Sequence, residues 1–402
     1  MSCPSPMSTP RRFLELPLTF WWLVLGLFVS RAGSFVFIYL ALYLKNERGF
    51  SVSQAGAVVS AFGAGALVAS FLGGVLADRI GRRPTILIGT ILGSAALIHL
   101  SFARSALHVG VAAFLVGACA ELYRPALQAA VADVVPLPDR ARAYGYLYWA
   151  VNLAFSVAAV LAARLSSVGY GWLFASNAVT LFAFGVIVAL LVPETLPDVS
   201  RTPVSIFAPY KDGVFVAFVV GGALLALVFH QGFSSLPLDL SNKGIGPEAY
   251  GDLIAVNGIM IVLLQPFISR MVLDRDPALV LALGAALTAI GFGATMFADT
   301  RLSIAITIAT WTLGEIVMAP SMPSVTANLA PASQRGGYQG GLVLSNGIAA
   351  FLAPLLGTRI LDDFGSSTLW QATLVVGLAS SAVFLGMRRP LLRRLGSRRG
   401  RG

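Results

Sequence analysis

Twelve apolar runs, each of a length that can cross a bilayer, succeed one another along this chain and leave little sequence between them. A spanning helix needs roughly 20 mainly apolar residues. Runs of that order cover 17 to 44, 52 to 76, 84 to 103, 106 to 134, 141 to 164, 169 to 192, 213 to 238, 249 to 270, 277 to 298, 301 to 329, 337 to 360 and 367 to 388. Shared among twelve spans, 402 residues leave about 33 for each helix and its connection, enough for a tilted helix and a short loop. Composition agrees: 57% of the residues are hydrophobic and only 11% charged, whereas a soluble domain carries about 25% charged residues to cover its surface. The expected class is an all-α membrane protein.

An even number of spans puts both termini on one side, and basic residues near span ends mark the cytoplasmic face. Nineteen of the 28 lysines and arginines fall on the side of the N-terminus and seven on the other, with Arg31 and Arg124 inside spans. Both termini are therefore expected in the cytoplasm, in a multi-pass protein of the plasma (inner) membrane. The net charge of +10 would suggest nucleic acid in a soluble chain. Here it gathers at span ends and in the arginine-rich tail after 388, which reads as solvated or touching anionic headgroups, so no nucleic-acid partner is expected. Cys3 and Cys119 sit in a terminal tail and an apolar run, so no disulfide framework or CxxC metal site is expected. The residues up to Arg11-Arg12-Phe13 are polar and proline-rich, and the stretch after them is too long for a signal-peptide core, so it reads as the first span. Without GxSxG, HExxH or Walker patterns, an enzyme is not expected.

The longest connection, 193–212, divides the chain. Five parts follow: a tail 1–16, a bundle 17–192, the linker 193–212, a bundle 213–388 and a basic tail 389–402. An offset of 195 pairs Pro125 with Pro320, Asp133 with Asn328, Pro136 with Pro331, Arg140 with Arg335 and Gly145 with Gly340. Parallel six-plus-six repeats recur in secondary transporters, with the substrate site between the halves near mid-membrane.

The strongest local motif follows the second run: Gly73-Gly74-Val75-Leu76-Ala77-Asp78-Arg79-Ile80-Gly81-Arg82-Arg83-Pro84. Here the chain resembles the major facilitator superfamily, whose loop between spans two and three carries GxLADRxGRR, with every signature position filled. A weaker copy, Val272-Leu273-Asp274-Arg275-Asp276-Pro277, follows the eighth run. The resemblance covers nearly the whole chain and implies twelve transmembrane helices in two pseudo-symmetric six-helix bundles. In physical terms Gly73 and Gly74 let helix backbones approach, and Asp78 with Arg79, Arg82 and Arg83 can pair across neighbouring helix ends or meet a helix dipole. Such bonds would hold one side closed and break when it opens; the other reading makes the arginines topology signals only. The resemblance favours a gating latch that takes in Gly81, Asp133 and Arg140.

Ionisable groups deep in a span are costly and face a water-filled cavity or a partner. They occur as Arg31 in run one, Glu121 and Arg124 in run four, His230 in run seven and Glu315 in run ten. This period of three picks out the helices that, by the resemblance, line the central cavity. Glu121 and Glu315 are near-equivalents and are the expected proton-coupling groups, with His230 a third. Arg124 lies on the same helical face as Glu121 and would pair with it, whereas Glu315 has no basic residue within a turn, so Glu315 is the expected carrier. Glu121 with Arg124 reads as a pair that substrate or proton could open, or as a neutralised structural pair. Arg31 could bind an anion or pair with Glu121. Polar-tipped residues expected near the cavity are Tyr39, Tyr123, Tyr148, Trp149, Asn152, Gln231, Trp311 and Asn346, while Tyr144 and Tyr146 suit the membrane interface.

Among relatives the resemblance is to the twelve-span drug:proton antiporter branch. It implies alternating access with efflux of small amphipathic compounds, driven by the proton gradient and needing no cofactor. The alternatives are an uptake symporter or facilitator of a metabolite such as a sugar or organic anion, with Arg31 and Arg124 as anion contacts, and a non-transporting sensor or scaffold, for which buried carboxylates have no use. The expected partners are a small-molecule substrate, protons and membrane lipid, and a monomer is expected.

Overall fold

In a computed structural model the described residues are 16–136, 139–196, 208–272, 275–330 and 335–399, so nearly all of the predicted tail 1–16, the last three residues of the tail 389–402 and residues 197–207 of the 193–212 linker lie outside them. Among the described residues every regular element is a helix. In order they are α1 (Leu18–Ala32), α2 (Phe35–Asn46), α3 (Val52–Arg79), α4 (Arg82–Phe102), α5 (Ala106–Ala120), α6 (Tyr123–Val134), α7 (Arg140–Val168) and α8 (Tyr170–Leu191). After the linker come α9 (Gly213–His230), α10 (Ser235–Asn242), α11 (Pro247–Val272), α12 (Pro277–Ala294), α13 (Arg301–Met318), α14 (Ser321–Leu329), α15 (Arg335–Gly386) and α16 (Arg388–Arg399). Ten segments among the described residues are long and apolar enough to cross a bilayer, and α1 is a shorter apolar helix.

Helix starts follow from their caps. Ser51 accepts from the Gln54 N–H and its own N–H donates to the Gln54 side chain, a capping box that opens α3. Asp212 and Asp276 cap α9 and α12 in the same manner, through the N–H groups of Val214 and Phe215 and of Ala278. A straight α15 of 52 residues would run about 78 Å, more than twice the roughly 30 Å hydrocarbon core. It does not run straight: Gly365 has φ 83° and ψ 175°, a conformation open to glycine, and separates 335–364 from 366–386.

The four runs that carry interior ionisable groups are interrupted. The first breaks at Gly33-Ser34 between α1 and α2, the fourth at Glu121-Leu122 between α5 and α6, the seventh through a 3-10 turn at Gln231–Phe233, and the tenth at Ala319-Pro320. The unbroken helices expected over 17–44, 106–134, 213–238 and 301–329 are corrected accordingly. In the fourth run the cause is Pro125, which lacks the N–H that would bond the Glu121 carbonyl; the Arg124 N–H takes that carbonyl at 3.2 Å. Pro320 likewise lacks the N–H that would bond the Ile316 carbonyl, so the last regular α-helical bond of α13 is the Ala319 N–H on the Glu315 carbonyl at 2.9 Å. Broken backbone at membrane depth is tolerated only where protein or water covers it.

Helix packing relies on small residues. α3 lies against α5 and 335–364, and α7 against α11. A Cβ on Gly56 would collide with Thr358 and Pro354, and one on Gly258 with Ser156 and Asn152, so the first and second halves of the chain touch closely along these two seams. Polar ties between the halves collect at one end. Tyr39 Oη donates to the Pro247 carbonyl at 2.8 Å, Lys45 reaches Ser241 and Asn242, the Ser53 N–H meets Asp362 at 3.2 Å, and Arg164 pairs with Glu248 and Asp252. That end lies opposite the Gly73–Pro84 loop.

Candidate functional site

The interruptions put side chains from both halves into one neighbourhood. At the α5–α6 break Glu121 is held by two guanidinium groups. Arg31, from the last turn of α1, directs Nη1 and Nη2 at the two carboxylate oxygens at 3.4 Å each, and Arg124 Nε pairs with Oε2. Arg31 and Glu121 are each 13% exposed, whereas Arg124 is 57% exposed. The Arg31 guanidinium also lies over the Tyr123 ring, 5.6 Å from its centroid, and Tyr123 packs edge-on against Phe184. Two cations on one carboxylate leave this cluster with one positive charge in excess.

Glu315, near the end of α13, has a different setting. The Asn257 amide of α11 donates to its Oε2 at 2.9 Å and to Thr312 Oγ1 at 3.1 Å, and no lysine or arginine among the described residues pairs with it. Tyr148 of α7, in the other half, is within electrostatic reach of Glu315. Asn152 lies one turn along α7, its amide donating to the Tyr148 carbonyl at 2.9 Å. His230 ends α9 within electrostatic reach of Asn346 and, across the halves, of Arg124; its Nε2 is buried without a hydrogen-bond partner among the described residues.

Four residues expected in the cavity sit elsewhere. Tyr39 and Trp311 are 1% exposed, the first tied to Pro247 and the second stacked on Phe292 at 5.0 Å. Gln231 is buried, donating to the Ala353 carbonyl at 3.0 Å and accepting from Ser235 at 2.6 Å, so it holds the α9–α10 break against 335–364. Trp149 is exposed and donates to the Val262 carbonyl at 3.4 Å on the α7–α11 seam. Side chains of this size fill packing gaps wherever the helix face turns inward, which position in a run does not reveal.

The Gly73–Pro84 loop forms a brace inside one half. Gly73 packs on the Leu122 carbonyl and Pro125 at the α5–α6 break, while a Cβ on Gly74 would meet nothing. Arg82, 1% exposed, joins three helices: Asp78 of α3 at 2.7 Å, Asp133 of α6 at 2.9 Å, and the Ala77 carbonyl at 2.7 Å. Arg83 donates to the Ala189 carbonyl at 2.6 Å, Arg79 is exposed, and Arg140 donates to the carbonyls of Val135 and Ala132. The expected bonds across neighbouring helix ends are present, but those described join elements of the same half. Sequence reading missed Glu194, which accepts from the Arg82 and Arg83 N–H groups at 2.9 and 3.2 Å and so caps α4. Burial alone would push the Glu194 carboxyl up, but the N–H groups of Leu196, Arg82, Thr195 and Arg83 outweigh it and hold the group below the usual carboxylate range. Gly81, with φ 111°, brings the chain against Glu194.

The C-terminal arginines depart from expectation. Arg388 pairs with Asp276 at 2.6 Å and Arg394 with Asp212 at 2.9 Å, while Leu391 is fully buried, so α16 docks on the second half. Asn257 was also missed, because an uncharged amide inside an apolar run carries no signal of its own. Among the described residues no group of three or more His, Cys, Asp or Glu could hold a metal.

Interrupted membrane helices that bring carboxylates and guanidinium groups together at mid-depth are the architecture of a secondary transporter. The chain belongs to the major facilitator superfamily: the family profile of that description matches residues 23–238 and again 217–401. It is 28% identical over 371 residues to the MFS-type transporter YttB of Bacillus subtilis (strain 168), covering 90% of this chain and 93% of that one. It is 25% identical over 365 residues to a Na(+), Li(+), K(+)/H(+) antiporter of Planococcus maritimus, covering 82% and 86%. To the quinolone resistance protein NorA of Staphylococcus aureus (strain MSSA476) it is 22% identical over 355 residues, covering 86% and 90%. Its fold matches a crystal structure of a POT family transporter in complex with 5-aminolevulinic acid, with a TM-score of 0.82 at 16% identity over 94% of this chain and 98% of that one. The protein is a multi-pass membrane transporter of this superfamily.

Proposed function

We propose that the chain is a proton-coupled antiporter that exports small amphipathic compounds across the plasma (inner) membrane by alternating access. In this reading twelve helices cross the membrane as two six-helix bundles, 17–192 and 213–388, joined by the linker 193–212, with both termini cytoplasmic. The observation that carries it is the contrast between the mid-membrane carboxylates. Glu121 is already neutralised by Arg31 and Arg124, whereas Glu315 is offered an uncharged partner among the described residues, the Asn257 amide, which leaves it the group able to exchange a proton. The ties between Tyr39, Lys45, Arg164 and the second half suit one stage of a cycle in which the outer end is shut. The names of two relatives, an antiporter and a quinolone resistance protein, support efflux.

The test uses inside-out vesicles with an acid interior, followed with a pH-sensitive dye as amphipathic cations, sugars and organic anions are added. Proton release on adding a compound, lost in Glu315→Gln, is the expected result; a Glu315→Gln protein that still pumps normally overturns the assignment. One observation favours a second reading. The excess guanidinium charge beside Glu121, on the exposed Arg124, suits an organic anion, and an anion that travels with a proton is taken up by symport. In that case Arg124→Gln weakens apparent affinity first, and silence across the panel shifts the assay to substrates loaded from the opposite side.

A further inference from the structure

Far from the mid-membrane site, the connection between α4 and α5 brings two histidines together. His99 lies three residues before the end of α4 and His108 in the first turn of α5. Ser105 caps α5 by accepting the His108 N–H at 3.3 Å, which fixes where the His108 ring leaves the helix. The rings are 4.9 Å apart at 53°, and the two Nε2 atoms face each other at 3.0 Å in an exposed position. Two imidazole lone pairs cannot converge at that distance with nothing between them. Either one ring donates its proton to the other, or an electrophile takes the proton's place.

We infer that His99 and His108 form a surface site for a borderline divalent transition ion of the Zn2+ or Ni2+ type, held by the two Nε2 atoms with water completing the shell. Zn–N bonds of about 2.0–2.1 Å at a tetrahedral angle place the nitrogens about 3.3 Å apart, so the rings need open by only a few tenths of an ångström. His99 is exposed and His108 half-buried. Neutral imidazole suits zinc, copper and nickel, whereas Mg2+ and Ca2+ need oxygen ligands that the pair does not offer. The neighbouring Arg104 is a cation on the same short connection, so charge attraction does not draw ions here and coordination must carry the binding. Occupied, the site clasps α4 to α5 and anchors the far end of the helix that leads to Glu121. It is independent of what the protein carries and in which direction.

The experiment is calorimetric titration of the purified full-length protein, stripped with chelator, free of any polyhistidine tag and carrying Cys3→Ser and Cys119→Ser so that thiols do not compete. ZnCl2 and NiCl2 are expected to bind one to one, with affinity falling at least tenfold in His99→Gln and in His108→Gln and little changed in His230→Gln, while MgCl2 gives no binding heat. An unchanged thermal midpoint of each variant without metal shows that the fold is kept, since His99 is exposed and His108 half-buried. Unchanged zinc binding in the two variants, or no one-to-one binding by the parent protein, overturns the site.

Discussion

Pro125 and Pro320 hold corresponding places in the two halves, each a few residues past a mid-membrane glutamate and each ending the helix that carries it. One structural device thus serves both carboxylates, although their partners differ. Pro125→Ala would return an N–H to the Glu121 carbonyl and let α5 run into α6. An interior proline costs a helix about 3 kcal/mol, so thermal stability in detergent should rise or hold while transport falls several-fold. Normal transport by a protein of raised stability would show that the break is incidental.

Arg82 should dominate the stability of the first half. Arg82→Ala takes the buried guanidinium away from Asp133, which is 13% exposed, and the loss is expected to be about 3 kcal/mol, as for one partner removed from a buried pair. Asp78 is 51% exposed, so Asp78→Asn should cost about 1 kcal/mol or less. Equilibrium unfolding in mixed micelles compares the two; equal losses would mean that the brace does not rest on Asp133.

Arg164 ties α7 to α11 at the closed end through Glu248 and Asp252, with every partner about half exposed. Exposed pairs contribute about 0.2–1 kcal/mol, so Arg164→Ala should raise the opened population of that end by a few-fold and leave the fold intact. Ala163, buried beside Gly251, reports on it: in a background without Cys3 and Cys119, Ala163→Cys should react faster with an impermeant maleimide once Arg164 is replaced. An unchanged rate would place the closure in the helix seam.

Glu194 gives a pH dependence of definite sign. Its carboxyl is held below its ordinary value of 4.5, so the stability it contributes is fully present above that value and is lost as pH falls through the lower folded value. Parent and Glu194→Gln proteins should therefore differ in thermal midpoint near neutrality and converge in acid below pH 4.5. A difference that grows toward acid would contradict the capping role, and because Glu194 is exposed the gap should be modest.

Much of this was legible because lipid is an unforgiving solvent: a run that crosses it must be apolar, and a charge inside it must have a reason. Arg31, Glu121, Arg124 and Glu315 stood out on that ground, and the Arg31–Glu121 and Glu121–Arg124 pairs are present. Asn257 was invisible because its amide becomes significant only when α11 and α13 are side by side. The pairing of Arg388 with Asp276 was hidden for another reason. Arg388 read as the start of a basic tail and Asp276 as part of the weaker motif copy, and only folding shows that Glu194 serves the start of α4 while Arg388 pairs with the aspartate that caps α12. Tyr39, Gln231 and Trp311 were placed in the cavity by chemical type, but helix rotation turns them into packing.

The docked α16 also bears on how the chain is made. Arg388 and Arg394 follow their partners Asp276 and Asp212 by 112 and 182 residues, so they leave the ribosome well after the helices that those aspartates cap. Until then, among the described residues, the two aspartates meet the N–H groups of their own first turns and, for Asp212, the Tyr338 hydroxyl at 2.9 Å. The second half therefore completes these charge pairs only once α16 has been made, so a nascent chain stalled before residue 388 should stay loosely assembled and open to quality-control proteases.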